Sequence, residues 1–423
     1  MAKLNLSKIG CAILAATLSL PSYAISIEQA WQQAKQSDPN YEKAKIGVQL
    51  GEVSVDASRS SLLPGLSATA SMNWSESADN TNSYSATLSQ TIWDSSLWSN
   101  LDQANANYIK AQLELVQSHN ELAQRLLSSY LDVASAQGDL KLAQSKLEEG
   151  NELLKIIEKR YLAGKVKSVD VEEIRATQVA DKAGILSARS DLEIKRAALA
   201  ALINHIPQSV DQIRTDSLIQ PPMMVDTQEK WLKLAKDSSP ALLVAAQNMK
   251  ASEFAKDSAQ GGYYPTIKGD FGYSDSDRQS NGEFNAGITL SVPIDLNGAT
   301  RARVDEASLN ILSAKQDFRR VEIDIQKRVI QQFTQVDINW NQVLIASELV
   351  TSREKILRSK EKLYDAGMLE VSEVISAHNS LFEAKNSLQN NLYNYWRQRI
   401  GLLQTAGKLD DDTIALISRA FNS

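Results

Sequence analysis

The chain has 423 residues, with charged side chains at 23% and the hydrophobic set at 43%, a balance that excludes wholesale disorder. Its 51 acidic residues outnumber 45 basic ones, for a formal charge of -6, which argues against a general nucleic-acid binder. The one cysteine, Cys11, falls in the leader described next, so the mature chain is expected to offer no disulfide, thiol nucleophile or thiolate metal site.

Lys3 and Lys8 precede an apolar run from Ile9 to Leu20, followed by Pro21-Ser22-Tyr23-Ala24. Small residues at Ser22 and Ala24 fit a cleavage site before Ile25, so residues 1–24 read as a signal peptide. The hydrophobic stretch follows Cys11 rather than preceding it, the wrong layout for a lipid-attachment cysteine. No later segment approaches the ~18 consecutive apolar residues of a spanning helix. The protein is exported on this reading, and any membrane-embedded part must be made of strands.

The remainder is one unit written twice. Asp38-Pro39 recurs as Ser239-Pro240, and Leu62-Leu63-Pro64 as Tyr263-Tyr264-Pro265, both at an offset of 201. Leu88-Ser89-Gln90-Thr91-Ile92 recurs as Leu290-Ser291-Val292-Pro293-Ile294 at 202, and Arg160-Tyr161-Leu162-Ala163-Gly164 as Leu363-Tyr364-Asp365-Ala366-Gly367 at 203. The predicted repeats span 25–207 and 227–407, with a linker at 208–226 and a C-terminal segment at 408–423.

Each repeat opens with two short helices, the second capped by Asp38 or Ser239 ahead of a proline suited to the first turn. A β-hairpin follows, at about 64–93 and 265–294, where the period changes to two. Leu66, Ala68, Ala70, Met72 and Trp74 alternate with Ser67, Thr69, Ser71 and Asn73; Tyr84, Ala86, Leu88 and Ile92 alternate with Ser85, Thr87, Ser89 and Thr91. In the second repeat Ile267, Phe271 and Tyr273 oppose Lys268, Asp270 and Ser274, and Phe284, Ala286, Ile288, Leu290 and Val292 oppose Asn285, Gly287, Thr289 and Ser291. One face apolar and the other small and hydroxylated over about ten residues is the pattern of a transmembrane barrel strand. A half-buried strand pair on a soluble core has the same period. Four strands cannot close a barrel, which takes about eight, so a membrane barrel requires several chains.

Long helical hairpins come next, at about 98–205 and 300–405. Leu126, Val133, Leu140, Leu147, Leu154 and Tyr161 recur every seven residues, as do Val329, Val336, Val343, Val350, Leu357 and Tyr364. Val374, Leu381, Leu388, Tyr395 and Leu402 continue the seam after the second turn. Gly164 and Gly367 stand where each hairpin reverses. Heptads alone describe a solid stalk and a hollow tube equally well; the hydroxylated strands favour the mouth of a conduit.

With duplicated halves, two β-hairpins, paired long hairpins and Tyr-x-x-Gly tips, the chain resembles the TolC family of bacterial outer-membrane efflux and secretion channels, over essentially the whole mature length. The resemblance implies a fold that is mainly α with a membrane β-barrel portion: a homotrimer with a twelve-stranded barrel in outer-membrane lipid, continuous with a twelve-helix periplasmic tunnel. It implies that the tunnel opens like an iris at its tip and docks a periplasmic adaptor and an inner-membrane proton-driven (RND) pump or ABC exporter. The segments at about 205–226 and 406–423 would form the equatorial belt.

The resemblance also assigns gate residues. Tyr364 is expected to bond Asp170, a charge-assisted contact of the kind a few kcal/mol breaks. Read locally, Asp170 with Glu173 has the spacing of a helix N-terminal capping box, and Tyr364 ends a heptad seam. Glu373 matches one acidic ring of the family; the second ring falls on uncharged Ser376, and a basic gate residue of the family corresponds to Leu369. The turn residues Gly164, Lys165, Val166, Lys167, Gly367, Met368, Leu369 and Glu370 are where adaptor choice should be written.

No catalytic chemistry or cofactor is expected. His119, His205 and His378 are scattered, no phosphate-binding loop or nucleophile elbow occurs, and Asp410-Asp411-Asp412 reads as a solvated turn. The chain is read as a passive exit duct for drug efflux, type I protein secretion or both, and not an enzyme. A fibrous surface stalk or adhesin is the alternative.

Overall fold

The computed structural model describes residues 24–74, 80–213, 218–277 and 281–422. The expected signal peptide, apart from Ala24, thus lies outside the described residues, as do positions 75–79 and 278–280 of the expected hairpins and 214–217 of the expected linker.

The two halves repeat element for element. The first runs α1 (Ile27–Ser37), α2 (Pro39–Ser60), β1 (Gly65–Asn73), β2 (Thr81–Trp93), α3 (Ser95–Leu162) and α4 (Ser168–Ile203). The second runs α5 (Gln228–Ser238), α6 (Pro240–Gly261), β3 (Thr266–Ser276), β4 (Glu283–Ser291), α7 (Ala299–Asp365) and α8 (Val371–Thr405), and α9 (Asp411–Asn422) closes the chain. Asp38 caps α2 by accepting from the Tyr41 amide at 2.8 Å, with Pro39 in the first turn. Ser239 stands at the matching N-cap of α6 but makes no side-chain cap bond.

Helices α3 and α7 have 68 and 67 residues, so each is about 100 Å long at the α-helical rise. Both end on a glycine in the left-handed region, Gly164 at φ 69° and Gly367 at φ 74°. The next amide reaches back five residues in each case, Lys165 to the Arg160 carbonyl and Met368 to the Leu363 carbonyl, both at 2.9 Å, which closes a Schellman-type turn. The return helices stop in the same conformation at Asn204 (φ 60°) and Gly407 (φ 68°), again 203 residues apart. Near the sheet, α3 packs on α2 and α6, and α6 on α7; towards the tips, α3 packs on α4 and α8, and α7 on α8. Both the stretch near the sheet and the stretch towards the tips are therefore four helices wide.

The strands form one antiparallel sheet in the order β1-β2-β3-β4, with β2–β3 pairing the two halves and both outer edges open. Register keeps the faces apart across all four strands. Ala68 faces Ala86, Ala86 faces Tyr273 and Tyr273 faces Phe284, while Thr69 faces Ser85 and Ser85 faces Ser274. Two boundaries differ from the predicted ones. Val292 and Ile294 lie beyond β4, which ends at Ser291 before Pro293, a residue with no N–H for the ladder. Trp74 likewise lies past the end of β1 at Asn73. A bulge between Thr91 and Trp93 ends the regular β2–β3 pairing.

Two apolar cores hold the helices. The larger lies midway along the molecule and joins α1, the middle of α3 and α7, the ends of α4 and α8, the linker and α9. Trp31, Tyr130, Trp231 and Tyr395 are fully enclosed there. The Tyr130 hydroxyl donates to the Ile25 carbonyl at 2.7 Å and accepts from the Asp211 amide at 2.8 Å, tying the segment before α1 and the linker to α3. Burial, with the Asp211 charge beside it, pushes the Tyr130 phenol above its ordinary range. The smaller core lies at the tips and includes Ile157, Val171, Ile174, Leu357, Tyr364 and Val374. The heptads behave unequally. Leu126 and Val133 of the first run and Val329, Val336, Val343, Leu357 and Tyr364 of the second are buried, whereas Leu140, Leu147, Leu154 and Val350 are half-buried and Tyr161 is 45% exposed.

Asp410-Asp411-Asp412 is a helix start rather than a solvated turn. Asp410 caps α9 through the Thr413 amide at 2.8 Å. Asp411 accepts from Trp31 Nε1 at 2.7 Å and Lys35 Nζ at 2.9 Å, with His119 Nε2 at 3.3 Å, and so fastens α9 to α1 and α3.

Candidate functional site

The tips collect most of the residues singled out in the sequence. Gly164 and Gly367 make the turns, and Lys165, Lys167, Met368 and Glu370 are exposed on them. Val166 and Leu369, each two residues after its glycine, are half-buried and pack on the tip core from opposite hairpins. Leu369 is thus an apolar anchor where the family pattern places a base.

The expected Tyr364–Asp170 bond is not formed in this chain. Asp170 is the third residue of α4, and its Oδ2 accepts from the Lys167 amide at 3.0 Å, half of a capping box. The pairing of Asp170 with Glu173 as a box is corrected accordingly, because α4 begins at Ser168 and its N-cap is Lys167. The Tyr364 hydroxyl is buried and has no hydrogen-bond partner. Burial pushes its pKa up; the Arg160 guanidinium opposes this, and the Asp170 and Asp365 charges add to it.

Arg160, at the end of α3, is the residue that reaches Tyr364. Its guanidinium lies 4.6 Å from the ring centroid, Nη1 donates to the Tyr364 carbonyl at 3.3 Å, and Nη2 donates to Asp365 Oδ1 at 2.6 Å. A planar fork stacked on a ring while bonding an oxygen beside it is geometry that lysine cannot copy. Arg160 did not stand out on reading the sequence, although a signal was there: the two copies of the tip motif differ in charge at two places, Arg160 against Leu363 and Asp365 against Leu162.

Glu373 is not a free acidic group here, since Lys360 Nζ lies 2.6 Å from its Oε2. Ser376 is exposed three residues further along α8. Higher up, a polar ladder connects α8 of the second half to α3 of the first. His378 Nε2 lies 3.0 Å from Glu149 Oε2, Gln389 donates to Asp139 at 2.7 Å, and Arg397 pairs with Asp132 at 2.6 Å. His205 stays at the end of α4, 3.3 Å from the Ile203 carbonyl. Among the described residues no group of three or more His, Cys, Asp or Glu is arranged to hold a metal ion.

At the opposite end, the sheet presents apolar side chains to the outside. Leu66, Phe284 and Ile288 are more than 70% exposed, and Met72, Tyr84, Phe271 and Leu290 more than half. A continuous patch of this kind, bordered by two unpaired strand edges, is a surface made to be covered. No helix among the described residues is long and apolar enough to cross a membrane.

Comparison with known proteins agrees with this layout. The profile of a family described as outer membrane efflux protein matches residues 30–205 and 231–408, one match to each half. Outer membrane protein TolC of Vibrio cholerae is 24% identical, covering 94% of this chain and 94% of its own. The proteases secretion protein PrtF of Dickeya chrysanthemi is 22% identical, covering 97% of this chain and 95% of its own. Among solved structures, the outer membrane protein VceC of Vibrio cholerae superposes with a TM-score of 0.77 at 16% identity, covering 90% of this chain and 96% of that one. The chain belongs to the outer membrane efflux protein family, and its place is the outer membrane of a Gram-negative bacterium, with its helices extending into the periplasm.

Proposed function

We propose that three copies of this chain assemble into a duct through which an inner-membrane pump discharges its cargo to the outside. The observation that carries the reading is the sheet: four strands in register, an apolar outer face, a hydroxylated inner face and two open edges. A bilayer tolerates no open strand edge, so each β1 must meet a β4 of another copy. Three chains of four strands give a twelve-stranded barrel, within the range known for outer-membrane barrels. The same multiplication turns the four-helix width of each chain into a twelve-helix tunnel. With family membership established, the stalk or adhesin alternative leaves the hydroxylated inner face without a purpose.

The tips face the inner membrane in this arrangement, and they are where an adaptor would dock, on the exposed turns at Lys165, Lys167, Met368 and Glu370. Either an RND pump or an ABC exporter could drive the duct. PrtF is named for protease secretion, which makes type I secretion a role to test beside drug efflux. Two measurements decide the reading. Detergent-purified protein should have three times the mass of one chain, and a deletion strain should either become sensitive to toxic small molecules or retain a secreted protein. A monomeric mass, or a deletion strain normal in both respects, would overturn it.

A further inference from the structure

We infer that Arg160 is a clasp that holds the second hairpin closed against the first, and that opening the duct requires its release. This rests on the duct reading above and adds a positioning residue to it.

The clasp joins elements that must separate. Arg160 ends α3 of the first half, while Tyr364 and Asp365 end α7 of the second, so the contact bridges the tips across the line along which an iris would part. It has three components on one guanidinium: the stack on Tyr364, the bond to its carbonyl and the ion pair with Asp365. The arginine side chain is 27% exposed and that of Asp365 65%, so the ion pair alone is weak, and the half-buried stack supplies much of the hold.

Three observations favour the clasp over a phenol–carboxylate bond at this point. The Tyr364 hydroxyl has no partner, and the Asp170 carboxylate is engaged by the Lys167 amide. Position 369, where a base would close a further link, is an apolar leucine packed on the core. The two copies of the motif differ in a complementary way: one carries the arginine and the other the aspartate, at the two positions that meet. In the first copy Tyr161 is left exposed, so the clasp exists once per chain.

The test is single-channel conductance of the purified assembly in planar bilayers, comparing Arg160→Ala, Arg160→Lys and the exchange Arg160→Asp with Asp365→Arg. Arg160→Ala should raise the time-averaged conductance about tenfold, the scale of losing one charge-assisted, stacked contact. Arg160→Lys should fall between it and the unmodified protein. The exchange should recover part of the closed state that each of its single substitutions loses, which a merely structural role would not produce. Spin labels at Lys165→Cys and Met368→Cys should report a longer and broader tip-to-tip distance in Arg160→Ala, independently of conductance. An unmodified protein that conducts, with Arg160→Ala unchanged in conductance and label distance, overturns the clasp alone. A protein that never conducts overturns the duct and the clasp together.

Discussion

The two ends of this molecule solve opposite problems. At the sheet, apolar side chains such as Leu66, Phe284 and Ile288 point away from the chain and both strand edges are unpaired, so the end is incomplete in isolation. At the tips Tyr364, Val166 and Leu369 turn towards a core of their own, the turns close their own hydrogen bonds, and Arg160, Lys360 and Glu373 find partners within the chain. The lesson is that assembly is demanded at one end and regulated at the other. On the duct reading the sheet is completed only by lipid and further copies of the chain, whereas the tips are held by a few polar contacts that can be exchanged.

Substitutions at the sheet should therefore be the most damaging. Phe271→Arg puts a charge on the apolar face near the middle of β3, at a cost of about 2–4 kcal/mol per chain if that position lies near the bilayer midplane. We expect loss of the membrane-inserted assembly, read as a missing trimer on native gels. Thr87→Lys, on the hydroxylated face, should assemble and shift ion selectivity towards anions. Equal damage from both would mean that the two faces are not differently solvated.

Changes at the tips should be milder and local. Gly367→Val forces a β-branched residue into a left-handed turn, at roughly 1–2 kcal/mol, and should leave trimer assembly intact while increasing amide exchange around 360–375. Asp170→Ala removes the acceptor for the Lys167 amide and should cost about 1 kcal/mol in the start of α4. Its effect on conductance should be smaller than that of Arg160→Ala. A larger one would return the gate to the Tyr364–Asp170 bond that family resemblance points to.

The smallest expected effect is at the equator. Burial raises the Asp411 pKa, but bonds from Lys35 and Trp31, the Lys35 charge and the His119 contact outweigh it, so the folded carboxyl sits below the ordinary range. A folded pKa below the unfolded one stabilises the protein above the unfolded pKa, and that contribution is lost as pH falls through the folded value. Thermal melts across the acid range should show this loss in the unmodified protein and a shallower one in Asp411→Asn. Identical slopes would remove the assignment.

The fold was legible because its signals are periodic and repeated. Period two announced the strands, period seven the helices, and the 201-to-203 offset the duplication. Strand ends were less so: Val292 continues the alternation but Pro293 stops the ladder one residue beyond it. The tip contacts were the least legible, because Arg160 and Tyr364 are 204 residues apart and nothing local brings them together. Asp411 was misread for the same reason, since its partners Trp31, Lys35 and His119 come from helices hundreds of residues away.

The central claim is that strands from separate copies enclose water. Adding the purified protein to a planar lipid bilayer tests it most directly. Discrete, uniform steps of ionic current are expected as single assemblies insert. A bilayer that stays electrically sealed, with the protein recovered as a single soluble chain, would contradict the account.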